Sequence, residues 1–265
     1  MEVVISKLIS DVKVPIGDAD WLVDLVLQRT GPALSMASRE LRLEAGSALD
    51  AWFTSGDRGP LTSLCQNREF VAPFIDEALR GAHKEATEIL NLAPRVNFGR
   101  LCSIGPGNGI VELFLLRSGL VKDLLVIDIE QSVQHSHGWA AQGSGYASLN
   151  KLRAFLEENV LSSVTITTCN PAMQQLPTFE FDLAMSLMSM GFHYPCDEYV
   201  DFILRGSAST QGMCLIDRRL DVADTGYQQL LTAFRREVVF ENSKWKRELL
   251  VRAHQSDAAL QSISL

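Results

Sequence analysis

The sequence has no Cys-x-x-Cys pair, no internal repeat, no low-complexity segment and no surplus of basic residues. Its five cysteines (Cys65, Cys102, Cys169, Cys196 and Cys214) are odd in number and scattered. That leaves no disulfide framework and fits reduced thiols packed as small hydrophobes in a cytoplasmic protein. The first residues lack a basic stretch followed by an uninterrupted apolar one, so no secretory signal is expected. No apolar run approaches the roughly 20 residues that span a bilayer, so no membrane partner is expected either. Lys and Arg number 24 against 32 Asp and Glu, a net charge of -8. This balance disfavours a nucleic-acid backbone or an anionic membrane surface as the main partner, because both reward basic patches.

Apolar material is plentiful. Hydrophobic residues make up 46% of 265, enough for a sizeable core without metal or disulfide staples. Residues 1–97 read as helical. Val71, Phe74, Ile75, Ala78 and Ala82 recur at three and four, which places them on one helix face. Breaks fall at Gly31-Pro32, at Ser55 to Pro60 and at Ala93-Pro94. This third carries no chemical motif and is expected to cap a site or to form a homodimer contact.

From residue 98 to 265 the pattern changes. Arg100 to Ile104 reads as a strand, followed by Gly105-Pro-Gly-Asn-Gly109 and the apolar helix Ile110 to Leu116. Further strands are expected at Leu124–Ile129, Val164–Cys169, Phe181–Leu187 and Met213–Ile216. Helices are expected at Leu149–Asn159, Glu198–Leu204 and Thr225–Arg236. Val238–Glu241 and Glu248–Arg252 close the chain as an antiparallel hairpin, because only a short turn separates them. Strands alternating with helices give an α/β fold with a doubly wound, mainly parallel, seven-stranded sheet of Rossmann-like type.

In such a sheet the ligand sits outside the carboxyl ends of the strands, at the first strand–helix turn. The turn reads GxGxG, and Ile110 stands where a dinucleotide fingerprint asks for a small residue. Asp128 lies 19 residues after Gly109, about where a carboxylate meets ribose hydroxyls. Asp128 is preferred for that role, with Glu130 as the alternative. A nicotinamide-dependent oxidoreductase shares this logic, but Ile110 and the final hairpin speak against it.

Leu101 to Gly109, the acidic end of the second strand and the closing hairpin together resemble the class I S-adenosylmethionine-dependent methyltransferases over residues 98 to 254. The resemblance implies S-adenosyl-L-methionine as cofactor, with its methionine part on the glycine turn, its ribose on Asp128 and its adenine near Asn170. Carried over residue by residue, the cofactor contacts are Ser103, Gly105, Pro106, Gly107, Gly109, Asp128, Ile129, Asn170 and Ser186. Ser103 departs from the family, in which many members carry an acidic residue, and this leaves backbone carbonyls to hold the cofactor's amino group. Ser103 also keeps open the reading of a methyltransferase-like binding protein that has lost catalysis. Gly138 to Leu149, Ser186 to Pro195 and Leu215 to Arg219 resemble the narrower group of bacterial sugar O-methyltransferases, which implies a small hydroxylated acceptor.

Methylating a hydroxyl needs a placed acceptor and a base for its proton. His193, expected in the loop after the fourth strand, is the candidate base, and a loop-ordering role is its plain alternative. Tyr146, Phe192 and Tyr194 are candidate acceptor contacts. His135 and His137 stand two apart, too weak a signal for a metal, and none is expected. Asp217, Arg218 and Arg219 suit either an anionic acceptor or surface ion pairs.

Overall fold

The computed structural model describes residues 9–133, 135, 138–160 and 163–253. Seven strands form one sheet: β1 (Arg100–Ile104), β2 (Asp123–Ile127), β3 (Thr165–Cys169), β4 (Leu183–Ser186), β6 (Met213–Arg219), β7 (Phe234–Glu241) and β8 (Trp245–Arg252). Their order is β3-β2-β1-β4-β6-β8-β7. β1 pairs parallel with β2 and β4, β2 with β3, and β4 with β6. β8 runs antiparallel to both β6 and β7, so the closing hairpin folds its second strand inward. This is the expected doubly wound, mainly parallel sheet ending in an antiparallel hairpin. Its central strands are near-continuous apolar runs because both faces are covered.

Side-chain alternation divides the core between those faces. Leu101, Leu124, Leu183, Leu215 and Leu249 point to one side; Cys102, Leu125, Ala184, Cys214 and Leu250 point to the other. All five cysteines are buried free thiols. The first face is covered by α6 (Ile110–Arg117), α7 (Leu149–Asn159) and the whole N-terminal helical part. That part comprises α1 (Ala19–Gln28), α2 (Thr30–Leu34), α3 (Arg39–Ser55), α4 (Gly59–Leu64) and α5 (Arg68–Leu90). Its helices are capped by Asp18, Ser38 and Asn67, whose side chains accept from Trp21, Leu41 and Glu69 amides. Trp21 through Leu27 are buried without interruption, as in a helix enclosed on every side. The opposite face carries α8 (Val200–Gly206) and α9 (Thr225–Leu230). Among the described residues no helix is long and apolar enough to cross a membrane.

Two expectations are corrected. The segment read as a loop after the fourth strand contains β5, Ser189–Tyr194, which lies outside the seven-stranded sheet. The helix expected over Thr225–Arg236 ends at Leu230, and β7 begins at Phe234. Cross-strand pairing with β8 along Phe234 to Val238 outweighs the helix propensity of Arg235, Arg236 and Glu237.

A chain of charges, buried at Arg247 and Asp217 and partly buried at Arg29 and Glu85, links the helical part to the sheet. Glu85 on α5 accepts from Arg29 at 3.1 Å and from Arg247 on β8 at 2.6 Å. Arg247 also donates Nε and Nη2 to Asp217 on β6, at 2.7 and 2.8 Å. Asp217 is fully buried and receives in addition the Met188 amide at 3.2 Å. Removing one member of such a chain strands a charge without its partner. Arg247→Met should therefore lower the free energy of unfolding by about 3–5 kcal/mol, read from urea denaturation. The double replacement Arg247→Met with Asp217→Leu should recover most of that loss.

Candidate functional site

The glycine turn after β1 holds Gly105, Gly107 and Gly109 at φ of +70°, +60° and +72°, a region that favours glycine. Three different elements occupy the space their side chains would need. A Cβ on Gly105 would overlap Ser189, one on Gly107 would lie 2.8 Å from Cδ of Gln28, and one on Gly109 would lie 3.1 Å from Cγ of Leu152. Gln28, the last residue of α1, also clamps the turn's backbone. Its Nε2 donates to the Pro106 carbonyl at 2.6 Å and its Oε1 accepts the Asn108 amide at 3.0 Å. The Asn108 side chain in turn donates to the Trp21 carbonyl at 2.9 Å.

Asp128 follows the last residue of β2 and accepts the Gly107 amide at 3.2 Å, joining the strand end to the turn. The Glu130 alternative is engaged elsewhere, accepting the Leu149 amide at 3.0 Å and the Asn170 side-chain amide at 3.2 Å. The Asn170 Oδ1 accepts the Ala172 amide at 3.0 Å.

These elements enclose a cavity of about 470 Å³, within the usual range for small-molecule sites. Ser103, Gly105, Pro106, Gly107, Asp128, Ile129, Tyr146, Phe192, His193 and Tyr194 all line it. Gly109, Asn170 and Ser186 do not. Gly109 packs under α7, and Ser186 is fully buried with its hydroxyl on the Met190 carbonyl at 3.3 Å. Leu187, Met188 and Ser189 form the wall at the end of β4. Met188 adopts φ +49°, the left-handed region that non-glycine residues seldom enter, and Asp217 holds its amide.

His193 stands on β5 against the edge of Phe192, ring centroids 4.9 Å apart. Its carbonyl accepts the Ala140 amide at 2.9 Å, which ties down the segment contributing Gly143, Ser144 and Tyr146 to the wall. Tyr194 shares a hydrogen bond with Ser189 at 3.1 Å and packs over Gly143. Burial pushes its phenol well above the ordinary value. Tyr146 meets Trp52 edge-on at 6.0 Å. His135 packs on Trp52 and Gly56, while His137 lies outside the described residues. Among the described residues no group of three His, Cys, Asp or Glu is arranged to hold a metal. Asp217, Arg218 and Arg219 pair with Arg247, Glu248 and Asp221, and none lines the cavity.

The sequence reading missed Glu112 and the N-terminal wall of Gln28, Arg29, Thr30, Gly31, Pro32 and Glu85. Glu112 did leave a signal: it is the one charged residue in the apolar run Ile110 to Leu116, which the fold buries throughout. Burial pushes its carboxyl up to about 7, against the pull of the Ser103 hydroxyl, which donates to Oε1 at 2.6 Å. The enclosing walls likewise push Asp128 up to about 7, against hydrogen bonds from the Gly107 and Ile129 amides.

No protein-family model and no curated protein matches the chain. Solved structures do resemble it. A dimethyladenosine transferase from Plasmodium falciparum is 12% identical with a TM-score of 0.42, over 66% of this chain and 63% of that one. The chain thus spans less than two thirds of that protein. A magnesium protoporphyrin IX methyltransferase from Synechocystis, with bound SAM, is 15% identical with a TM-score of 0.43, over 83% of this chain and all of the other. A TehB-like SAM-dependent methyltransferase from Corynebacterium glutamicum is 12% identical with a TM-score of 0.40, over 66% and 99%.

Asp128 titrates near 4 in an unfolded chain and near 7 in the folded one. Between those values the folded state keeps a proton that the unfolded state has lost. The stability this supplies is complete below the lower value and gone once pH passes the upper one. Asp128→Asn should therefore gain stability relative to the wild type as pH rises from 5 to 8. Urea denaturation at a series of pH values measures it, and a constant difference would refute the shift.

Proposed function

We propose that the chain is an S-adenosylmethionine-dependent methyltransferase acting on a hydroxyl of a sugar or other small molecule. The observation that carries this reading is the joining of the glycine turn to Asp128, through the Gly107 amide, in the lining of a cavity that Phe192, His193 and Tyr194 also line. The residues present suit the cofactor. Gly105, Pro106 and Gly107 line the cavity together with Asp128, whose carboxyl, once ionised, accepts two hydroxyls at once. Bound there, the cofactor would supply an electrophilic methyl group, carried on a sulfonium, for in-line transfer to an acceptor oxygen.

The protein's own part is to hold, orient and deprotonate. His193 takes the hydroxyl proton of the acceptor, and the walls exclude competing water. Tyr194, hydrogen-bonded to Ser189 over the turn, and Phe192 and Tyr146 shape the acceptor side. The helical segment 1–97 serves as a cap, supported by Gln28, Arg29 and Glu85 in the cavity wall. A small acceptor is favoured by this walled volume and by the net charge of -8.

Calorimetry should show S-adenosylhomocysteine binding to the wild type, with affinity lowered about 10- to 100-fold by Asp128→Ala, the loss of one or two hydrogen bonds to a charged acceptor. Protection from heat by NAD(H) and not by S-adenosylhomocysteine would sink the assignment. His193→Ala should lower turnover by about 10²–10⁴-fold while leaving S-adenosylhomocysteine affinity unchanged. Near-full turnover at neutral pH would make the histidine structural.

A further inference from the structure

Two buried polar atoms on side chains that line the cavity have no hydrogen-bond partner: Oε2 of Glu112 and Nε of Arg29. Glu112 is only 2% exposed, and its other oxygen meets a neutral group, the Ser103 hydroxyl. The other charges nearby are already matched. Glu85 receives both Arg29 and Arg247, and Asp217 receives Arg247. A buried carboxyl oxygen left without a hydrogen-bond partner costs the full desolvation of that atom. A guanidinium N–H in the same position is equally unsatisfied. Both side chains line the one cavity, beside Gly105, Pro106 and Gly107.

A ligand that satisfies both atoms presents a cationic N–H donor and an anionic acceptor a short distance apart. That is the chemistry of an α-amino acid head group. We infer that Glu112, steadied by Ser103, receives an α-ammonium and that Arg29 receives the neighbouring α-carboxylate. Resting on the function proposed above, this head group is the methionyl end of the cofactor; an amino-acid acceptor is the other source of the same chemistry. The carboxylate at this site thus comes from the helix after the turn, and the N-terminal helical part supplies the opposite charge. Ser103 is then a positioning residue that fixes one oxygen of Glu112 and leaves the other for the ligand.

The test measures S-adenosylhomocysteine and its deaminated and decarboxylated analogues by calorimetry against the wild type, Glu112→Gln and Arg29→Met. The wild type should bind S-adenosylhomocysteine at least about tenfold tighter than either analogue. Glu112→Gln should lose the preference over the deaminated analogue while binding that analogue as the wild type does. Arg29→Met should lose the preference over the decarboxylated one. Should Arg29→Met fail to fold, Arg29→Lys keeps a positive charge for Glu85 but lacks the Nε–H, and should show the same loss. A wild type that binds S-adenosylhomocysteine but separates the analogues by less than about threefold overturns the clamp alone. Variants that keep both preferences overturn it too, and would leave an amino-acid acceptor as the occupant. A wild type that binds none of the three overturns the cofactor assignment and the clamp with it.

Discussion

A turn with glycine at every second position governs the geometry of this protein. Gly105, Gly107 and Gly109 all take positive φ, and Ser189, Gln28 and Leu152 each fill the space that one of them leaves. Those three neighbours come from β5, α1 and α7, so one short segment sets the distances among β5, the N-terminal helical part and the second crossover helix. The arrangement demands glycine twice over, for backbone conformation and for room. It also explains why the site's residues converge, since any element that packs on the turn is brought to the same cavity.

The fold was largely legible because its signals are local. Arg100 to Ile104, the turn and the helix after it follow one another along the chain, and Leu149 to Asn159 carries its cap, Ser148, at its own start. The closing hairpin announces itself by a short connection between two β-prone stretches. β5 was hidden because Gly191 within it and Pro195 directly after it suggest a loop. The helix at Thr225 was drawn too long because Arg235, Arg236 and Glu237 suit a helix, and only the partner strand β8 decides otherwise.

The site was legible in part. The turn and Asp128 could be read from spacing, and His193, Phe192 and Tyr194 from position after the fourth strand. Asn170 occupies the expected place in the chain, yet its side chain is bonded to Glu130 and the Ala172 amide. Gln28, Arg29 and Glu85 carry no motif; they reach the cavity through packing between residues far apart in the chain, 78 positions for Gln28 and Pro106 and 56 for Arg29 and Glu85. The charge chain from Arg29 through Glu85 and Arg247 to Asp217 has the same character. Its last member holds the amide of Met188, so the backbone bordering the cavity is anchored by groups on α5 and β8.

The five cysteines give the fold a built-in gauge. Cys102 and Cys214 flank Ala184 on one face of the sheet, Cys169 ends β3, Cys196 underlies β5, and Cys65 follows α4 in the helical part. Burial raises the thiols of Cys65, Cys102, Cys196 and Cys214, and it also shields their sulfur from reagents in solution. Alkylation of any one of them therefore requires its own neighbourhood to open. The modification rate at Cys65 reports the breathing of the N-terminal helical part, and that at Cys102 the parting of the sheet from its covering helices. A single protein, without added labels, can thus reveal which of its layers loosens first.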